Sequence, residues 1–245
     1  MSKATEYFKN LQRILTRIAS EQADNIESAA CAVADTLESG GRIHTFGTGH
    51  SHMLAEEIFY RAGGLVNVNP ILETGLMLHE SASKSTALER LEGYGEILFE
   101  MHDLKNNDIL FLFSNSGRNG VAIDLALIAK EKGIKTVVIT NMEHTLQGES
   151  RHSSGKKLYE LGSIVIDNCG CMGDASMEIK EIGRNVAPTS TAAGAAILNA
   201  IEARAVEMMV ADGFTPEVFS SSNVDGGDEI NDAYVKKYIK EIKSL

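Results

Sequence analysis

The sequence predicts an α/β fold, a doubly wound and mostly parallel sheet of five strands flanked by helices. Short apolar runs recur along the chain, and segments with helical periodicity separate them. These runs are apolar throughout, which is typical of parallel strands buried on both faces. With 245 residues and 43% hydrophobic content, the chain can bury one substantial core. We therefore expect a single domain over residues 1–245, with its core at about 40–210.

An N-terminal helical lead-in precedes the first predicted strand. Apolar residues from Phe8 to Leu37 recur at spacings of three and four, which predicts one or two amphipathic helices. A short strand over 42–46 then runs into the sequence GTGHS. A helix over 52–62 follows and ends at a pair of glycines, and the next strand, 65–70, is closed by a proline.

The second half of the chain continues this alternation of strands and helices. The predicted elements are a helical stretch at 86–102, a strand at 109–113, a helix at 121–133, and strands at 135–140 and 163–168. An alanine-rich helix over 191–209 and a short helix over 229–243 complete the chain. Such alternation is typical of a parallel sheet with helices on both faces.

Composition excludes several classes of function. Asp and Glu outnumber Lys and Arg by 34 to 23, and the net charge of −11 repels phosphate backbones, so we expect neither nucleic acid nor a membrane as a partner. No apolar run approaches the roughly 20 residues of a membrane span. The amphipathic N-terminus does not resemble a signal peptide, and three cysteines are too few for a disulfide framework. These features predict a cytoplasmic protein.

The motifs of cofactor-binding and metal-binding proteins are incomplete. GTGHS lacks the third glycine of G-x-G-x-x-G because His52 stands in its place, and no P-loop motif is present. His50 and His52 are two residues apart, so they do not share a face of a helix. Cys169 and Cys171 have no second pair that would complete a zinc site. We therefore expect no cofactor and no metal.

Two polar loops follow two of the predicted core strands. GTGHS occupies 47–51, and SNSGRN occupies 114–119. In a doubly wound sheet, ligands bind where the strands end and the helices begin. Glycine lets the backbone approach a ligand, serine hydroxyls donate hydrogen bonds, and helix N-termini favour anions. Each loop alone is also an ordinary turn with a helix cap, but two such loops after two core strands predict a phosphate site.

These loops resemble those of the sugar isomerase (SIS) family of phosphosugar-binding domains. The family's first loop has the pattern G-x-G-x-S, and its second has S-x-S-G-x-T; the resemblance spans about residues 40–210. It implies that a sugar phosphate binds at Gly47, Gly49, Ser51, Ser114, Asn115 and Ser116. Asn119 stands where the family usually has threonine, and its amide N–H can still donate to a phosphate oxygen.

A third segment, VAPTSTAAG at 186–194, resembles the corresponding turn of the arabinose 5-phosphate isomerase branch of the family. The resemblance implies that Thr189 and Ser190 also contact the ligand. A well-capped helix start with no ligand fits the same residues.

The resemblance leaves the chemistry open. Aldose–ketose isomerisation needs a base, for which Glu80 and Glu57 are the candidates, and an acid that opens the sugar ring, for which His79 is the candidate. Either Glu80 or His79 could instead cap the next element. The final helix lacks the histidine of the phosphoheptose isomerase branch, so His144 and His152 are possible substitutes.

Two classes of function follow from the resemblance. The first is an enzyme, either an aldose–ketose isomerase or a lyase or etherase that acts on an N-acetyl sugar phosphate. The second is a non-catalytic sensor of sugar phosphates. No helix-turn-helix pattern or basic patch precedes the first strand, so we favour an enzyme over a sensor. The fold does not decide between isomerase and lyase, and we take the isomerase as the leading hypothesis. The resemblance and the apolar N-terminal and final helices also imply a homodimer or homotetramer.

Overall fold

The computed structural model describes residues 1–245 and contains a five-stranded parallel sheet. Its strands are β1 (Ile43–Gly47), β2 (Val68–Pro70), β3 (Ile109–Phe113), β4 (Lys135–Thr140) and β5 (Ile164–Asp167). They lie in the order β2-β1-β3-β4-β5, and every neighbouring pair is parallel. The sequence prediction of a parallel, five-stranded α/β sheet is therefore confirmed.

Helices cover both faces of the sheet. Their bounds are α1 (Lys3–Glu21), α2 (Ala23–Glu38), α3 (His52–Glu57), α4 (Ala82–Leu88), α5 (Tyr94–Met101), α6 (Gly120–Glu131), α7 (Met142–Thr145), α8 (Ser190–Ala211) and α9 (Gly227–Tyr238). Alternate residues of β3 enter different cores. Phe111 and Phe113 pack with α2, α3 and α8, whereas Leu110 and Leu112 pack with α5 and α6. No helix combines the length and the apolar character that a membrane crossing requires.

Three predicted helices are shorter than the sequence indicates, and the last of them, expected over 229–243, ends at Tyr238. The helix expected over 52–62 ends at Glu57, and the stretch expected over 86–102 divides into α4 and α5. The division occurs because the linker backbone bonds to α6. The Glu89 carbonyl accepts from the Val121 N–H at 3.3 Å, and the Gly93 N–H donates to Asp124 at 2.8 Å.

A β-hairpin that the sequence analysis did not predict lies between β5 and α8. Its strands, β6 (Ala175–Ile179) and β7 (Arg184–Pro188), pair in the antiparallel direction outside the main sheet. Most of the hairpin is exposed, and Met177 is its buried side chain. Because its strands bury little apolar surface, the hairpin leaves only a weak pattern in the sequence.

Candidate functional site

The two polar loops lie side by side at the carboxyl edge of the sheet. Loop 1 (Gly47–Ser51) and loop 2 (Ser114–Asn119) leave β1 and β3, which are neighbours. Gly47 and Phe113 are paired in register, so both loops begin at the same level. The sheet thus brings together the two sequence segments on which the predicted phosphate site depends.

Loop 1 is a tight turn that only glycine permits at two positions. A Cβ on Gly47 would lie 2.3 Å from the Ser51 carbonyl oxygen, and Gly49 has a φ of +56°. The Thr48 hydroxyl donates to the Glu89 carboxylate at 2.8 Å. The turn leaves the half-buried Ser51 at the start of α3.

Loop 2 is held by hydrogen bonds within the turn and by neighbouring strands. Gly117 has a φ of +59°, and its N–H donates to the Ser114 hydroxyl at 3.1 Å. A Cβ on Gly117 would come within 2.7 Å of the Thr145 hydroxyl oxygen. The Thr140 hydroxyl donates to the Ser114 carbonyl at 2.7 Å. These contacts fix the backbone around Ser116.

A chain of side-chain amides extends from loop 2 to the end of β5. Asn168 donates to the Asn115 side-chain oxygen at 2.8 Å, and Asn141 donates to the Asn168 side-chain oxygen at 2.9 Å. Asn141 and Asn168 are buried. The Asn115 amide oxygen is therefore committed to the fold, and its amide N–H group is the part that remains for a ligand.

The third predicted segment, at the start of α8, adjoins this amide chain. A Cβ on Gly170 would lie 3.0 Å from the Asn168 side-chain oxygen and 3.5 Å from the Thr189 hydroxyl oxygen. Thr189 is fully buried, and its hydroxyl has no hydrogen-bond partner. An unsatisfied buried hydroxyl is costly, so its position beside loop 2 is consistent with a role in ligand binding.

The Asp174 carboxylate caps the start of α8. Its carboxylate accepts from the N–H groups of Thr189 at 3.0 Å and Ser190 at 2.9 Å, and from the Ser190 hydroxyl at 2.5 Å. Asp174 also has a φ of +69°, which is uncommon for a residue other than glycine. The Ser190 hydroxyl is therefore engaged within the chain, whereas that of Thr189 is not.

Helices α3 and α8 run in the same direction and open at the same edge. Leu54 of α3 packs against Gly194 of α8, where a Cβ would lie 2.6 Å from the Leu54 side chain. Further along both helices, the Asn199 side chain donates to Glu57 at 3.0 Å. The parallel course places Ser51 and Ser190 at matching ends of the two helices. Loop 1, loop 2 and the start of α8 thus surround one region of the carboxyl edge.

Residues with cap-type side chains precede several helices of the chain, and they fall into two groups. Ser2, Ser81 and Asn141 accept a hydrogen bond from their helix backbone, as caps normally do. Three residues at the carboxyl edge have similar side chains but make no such bond: Ser51, Asn119 and Thr189. The Ser51 hydroxyl, the Asn119 amide N–H group and the Thr189 hydroxyl make no hydrogen bond within the fold and remain for a ligand. The Asn119 side-chain oxygen accepts from Arg151, and the Val121 N–H of α6 donates to the Glu89 carbonyl.

The predicted catalytic side chains make no hydrogen bond to the loops. Glu80 is exposed and pairs with Lys84, and hydrogen bonds from Lys84 and then Thr74 lower the pKa of Glu80. Glu57 pairs with Arg61 at the last residue of α3. His79 is exposed. No hydrogen bond connects these three side chains to loop 1 or loop 2.

The two histidines considered as substitutes have different surroundings. Burial, followed by the charge of Arg118, lowers the pKa of His144, which the charge of Asp174 opposes. His144 is therefore near enough to feel the charges of both Arg118 in loop 2 and Asp174 at the start of α8. His152 lies 2.9 Å from Asp124 and 2.8 Å from Ser154, which ties its loop to α6.

Sequence analysis missed Glu89, Arg118 and Asp174. The Glu89 side chain holds loop 1, and its carbonyl holds the start of α6. Glu89 lies in a stretch that was expected to be helical, and Asp174 precedes the unpredicted hairpin, so local pattern gave no signal for either. Arg118 lies within the SNSGRN motif itself and could have been singled out as a charge beside a phosphate.

Comparison with known proteins supplies the family context. A profile of the SIS domain matches residues 6–141. A UPF0309 protein from Listeria innocua is 47% identical over 95% of this chain and 94% of its own length. A UPF0309 protein from Geobacillus thermodenitrificans is 44% identical over 98% of this chain and 96% of its own length.

Solved structures share the fold. A phosphoheptose isomerase from Neisseria gonorrhoeae superposes with a TM-score of 0.54 and 15% identity, over 85% of this chain and 97% of that chain. A phosphoheptose isomerase from Francisella tularensis superposes with a TM-score of 0.53 and 17% identity, over 84% of this chain and 100% of that chain. At such low identity the similarity concerns the fold alone.

Proposed function

This chain belongs to the SIS domain family, and on that premise we propose that it binds a sugar phosphate at the carboxyl edge of its sheet. The phosphate lies against Ser51, Ser114, Asn115, Ser116 and Asn119. Gly47 and Gly49 give loop 1 the shape that admits it. The observation that carries the proposal is the set of cap-type side chains around one region that make no cap.

Neutral donors are a physical reason to assign phosphate to these loops. The chain has a net charge of −11, so a phosphate finds no general attraction to the surface. Hydroxyl and backbone N–H groups that point at one position bind a phosphate through hydrogen bonds and the helix dipole. Thr189, whose hydroxyl is unpartnered, then contacts the sugar or its phosphate, and Ser190 supports it through Asp174.

We further propose that the bound sugar undergoes aldose–ketose isomerisation. One carboxylate moves a proton between adjacent carbons of the open chain, and His79 assists ring opening. Glu80 and Glu57 are candidates for the base, and each must first break its salt bridge, Glu80 with Lys84 and Glu57 with Arg61. Glu89 is a third candidate, since it contacts loop 1 directly and carries no salt bridge.

A sensor without catalysis is the second candidate function. The specific observation in its favour is that Glu80 and Glu57 are both paired with basic side chains, and the hydrogen bond from Lys84 lowers the pKa of Glu80, which makes Glu80 a weaker base.

Thermal shift followed by NMR tests these proposals. A panel of sugar phosphates is screened for stabilisation, and the best compound is then incubated with the protein in deuterated water. An isomerase incorporates deuterium at C1 or C2 and forms the ketose or aldose isomer. Stabilisation without exchange or product supports the sensor, a cleavage product supports the lyase, and no stabilisation by any sugar phosphate contradicts the binding proposal.

A further inference from the structure

Three arginines at the end of loop 2 have no ionic partner. The chain has nine arginines, and four of them form salt bridges with carboxylates: Arg17, Arg42, Arg61 and Arg204. Arg90, Arg118 and Arg151 form none, although acidic residues outnumber basic ones in this chain. Arg13 and Arg184 are also unpaired, but they lie elsewhere in the chain; three unpaired arginines that lie together in an acidic chain form a local positive charge that favours an anion.

Backbone and side-chain contacts bring these three residues together. The Arg151 N–H donates to the Arg118 carbonyl at 2.9 Å, and the Arg151 guanidinium donates to the Asn119 side chain at 3.0 Å. A Cβ on Gly120 would lie 3.0 Å from the Arg90 carbonyl oxygen. The three residues therefore surround Asn119 and the start of α6, beside the proposed phosphate position.

The electrostatics of the cluster agree with its geometry. Burial and then the charges of Arg118 and Arg90 lower the pKa of Arg151, and the charge of Glu89 opposes this shift. The Arg118 Nε is buried and has no hydrogen-bond partner. An anion that accepts hydrogen bonds from these guanidinium groups would offset their mutual positive charge and give the Arg118 Nε a partner.

Two nearby carboxylates are bonded to groups outside the cluster. Glu89 accepts from the Thr48 hydroxyl, and Glu92 accepts from the Ser153 N–H at 2.8 Å and faces His152. Neither carboxylate forms a salt bridge with an arginine. The cluster thus contains three guanidinium groups, and the two carboxylates near it are hydrogen-bonded to other groups.

The hydroxyl and N–H groups of the loops already supply hydrogen-bond donors for one phosphate, so the three arginines are additional to what that phosphate needs. We propose that the ligand carries a second anionic group, a carboxylate or a second phosphate, and that Arg90, Arg118 and Arg151 bind this group. The inference rests on the proposed function, because the first phosphate positions the ligand in loops 1 and 2. The substrate class is then an acidic or doubly phosphorylated sugar.

Calorimetry with matched ligands tests the inference at fixed ionic strength. 6-Phosphogluconate is compared with glucose 6-phosphate, and fructose 1,6-bisphosphate with fructose 6-phosphate. At least one doubly anionic ligand binds about tenfold or more tightly than its monophosphate partner, because charge-assisted hydrogen bonds are the stronger ones. In Arg151→Ala and Arg90→Ala this preference falls below about threefold. Arg184→Ala, which removes another unpaired arginine from the exposed β7, keeps the preference of the wild type.

The outcomes separate the two proposals. If the monophosphates bind and neither doubly anionic ligand binds more tightly than its monophosphate partner, the second anion site is overturned and the proposed function remains in place. A preference that persists in both arginine variants also overturns it. Arg90→Ala decides the question if circular dichroism shows that Arg151→Ala has not folded. Failure of all four compounds to bind removes the proposed function, and the inference with it.

Discussion

At the scale of single residues, the two serines of loop 2 differ in what their hydroxyls already do. The Ser114 hydroxyl accepts from the Gly117 N–H and so helps to form the turn. Ser116 is half-buried, and its hydroxyl has no such role in the fold. Replacement of Ser116 therefore separates ligand binding from loop structure more cleanly than replacement of Ser114.

Ser116→Ala should weaken binding of a sugar phosphate by about 1 to 3 kcal/mol, because it removes one donor to the phosphate. Thermal shift and calorimetry with a hexose 6-phosphate measure the loss. Ser28→Ala, which removes an exposed serine hydroxyl from α2, is the matched control. Equal stabilisation of Ser116→Ala and wild type would remove Ser116 from the site.

The carboxylate that acts as base can be identified by isotope exchange. Glutamine keeps the shape of glutamate without its basicity, so the correct variant among Glu80→Gln, Glu57→Gln and Glu89→Gln should lose about 10² to 10⁴ in exchange rate with little loss of binding. NMR in deuterated water follows the exchange. Unimpaired exchange in all three variants contradicts the assignment of the base to this group.

At the scale of elements, the turn of loop 2 depends on one glycine. Gly117 and Gly133 both have a positive φ, but a Cβ on Gly117 meets the Thr145 hydroxyl at 2.7 Å, whereas a Cβ on Gly133 meets nothing within 4 Å. Alanine at either position therefore costs free energy because of the positive φ, but only alanine at position 117 also clashes with a neighbouring side chain.

Gly133→Ala should cost about 1 kcal/mol of unfolding free energy, which is the typical penalty for alanine in this conformation. Gly117→Ala should cost more, and it should also weaken binding of a sugar phosphate because Ser116 moves with the turn. Urea unfolding and calorimetry measure the two effects. Wild-type affinity in Gly117→Ala would show that the loop 2 turn does not position the ligand.

Elements that bury apolar side chains were predictable from the sequence, and elements held by distant polar contacts were not. The run Ile109–Phe113 identifies β3 because each face of the strand enters a core. The break between α4 and α5 depends on bonds to Val121 and Asp124, which are remote in sequence. In the site, local glycine and serine patterns predicted both loops. Arg151 and Asp174 reach the site through contacts that only the fold creates.

At the scale of the whole molecule, exposed apolar side chains indicate an assembly. Phe8 is 69% exposed on α1, and Ile97 and Met101 are more than half exposed one turn apart on α5. We propose at least a homodimer, in which a second copy covers part of this surface. Such contacts remove apolar area from water and make stability dependent on concentration.

Light scattering at micromolar concentration should therefore report at least twice the chain mass of 26.5 kDa. The reason is that a dimer interface of ordinary size withdraws enough apolar surface to persist at such concentrations. Phe8→Glu and Ile97→Glu identify which helix takes part. A mass of about 26.5 kDa for the wild type contradicts the assembly.

A crystal structure with a bound hexose 6-phosphate tests the central claim most directly. We expect a phosphate within hydrogen-bond distance of the Ser116 hydroxyl, between loop 1 and loop 2 at the carboxyl edge. A phosphate bound instead in the cavity at the opposite edge, which Arg42, Glu217 and Lys237 line, would contradict the assignment of the site.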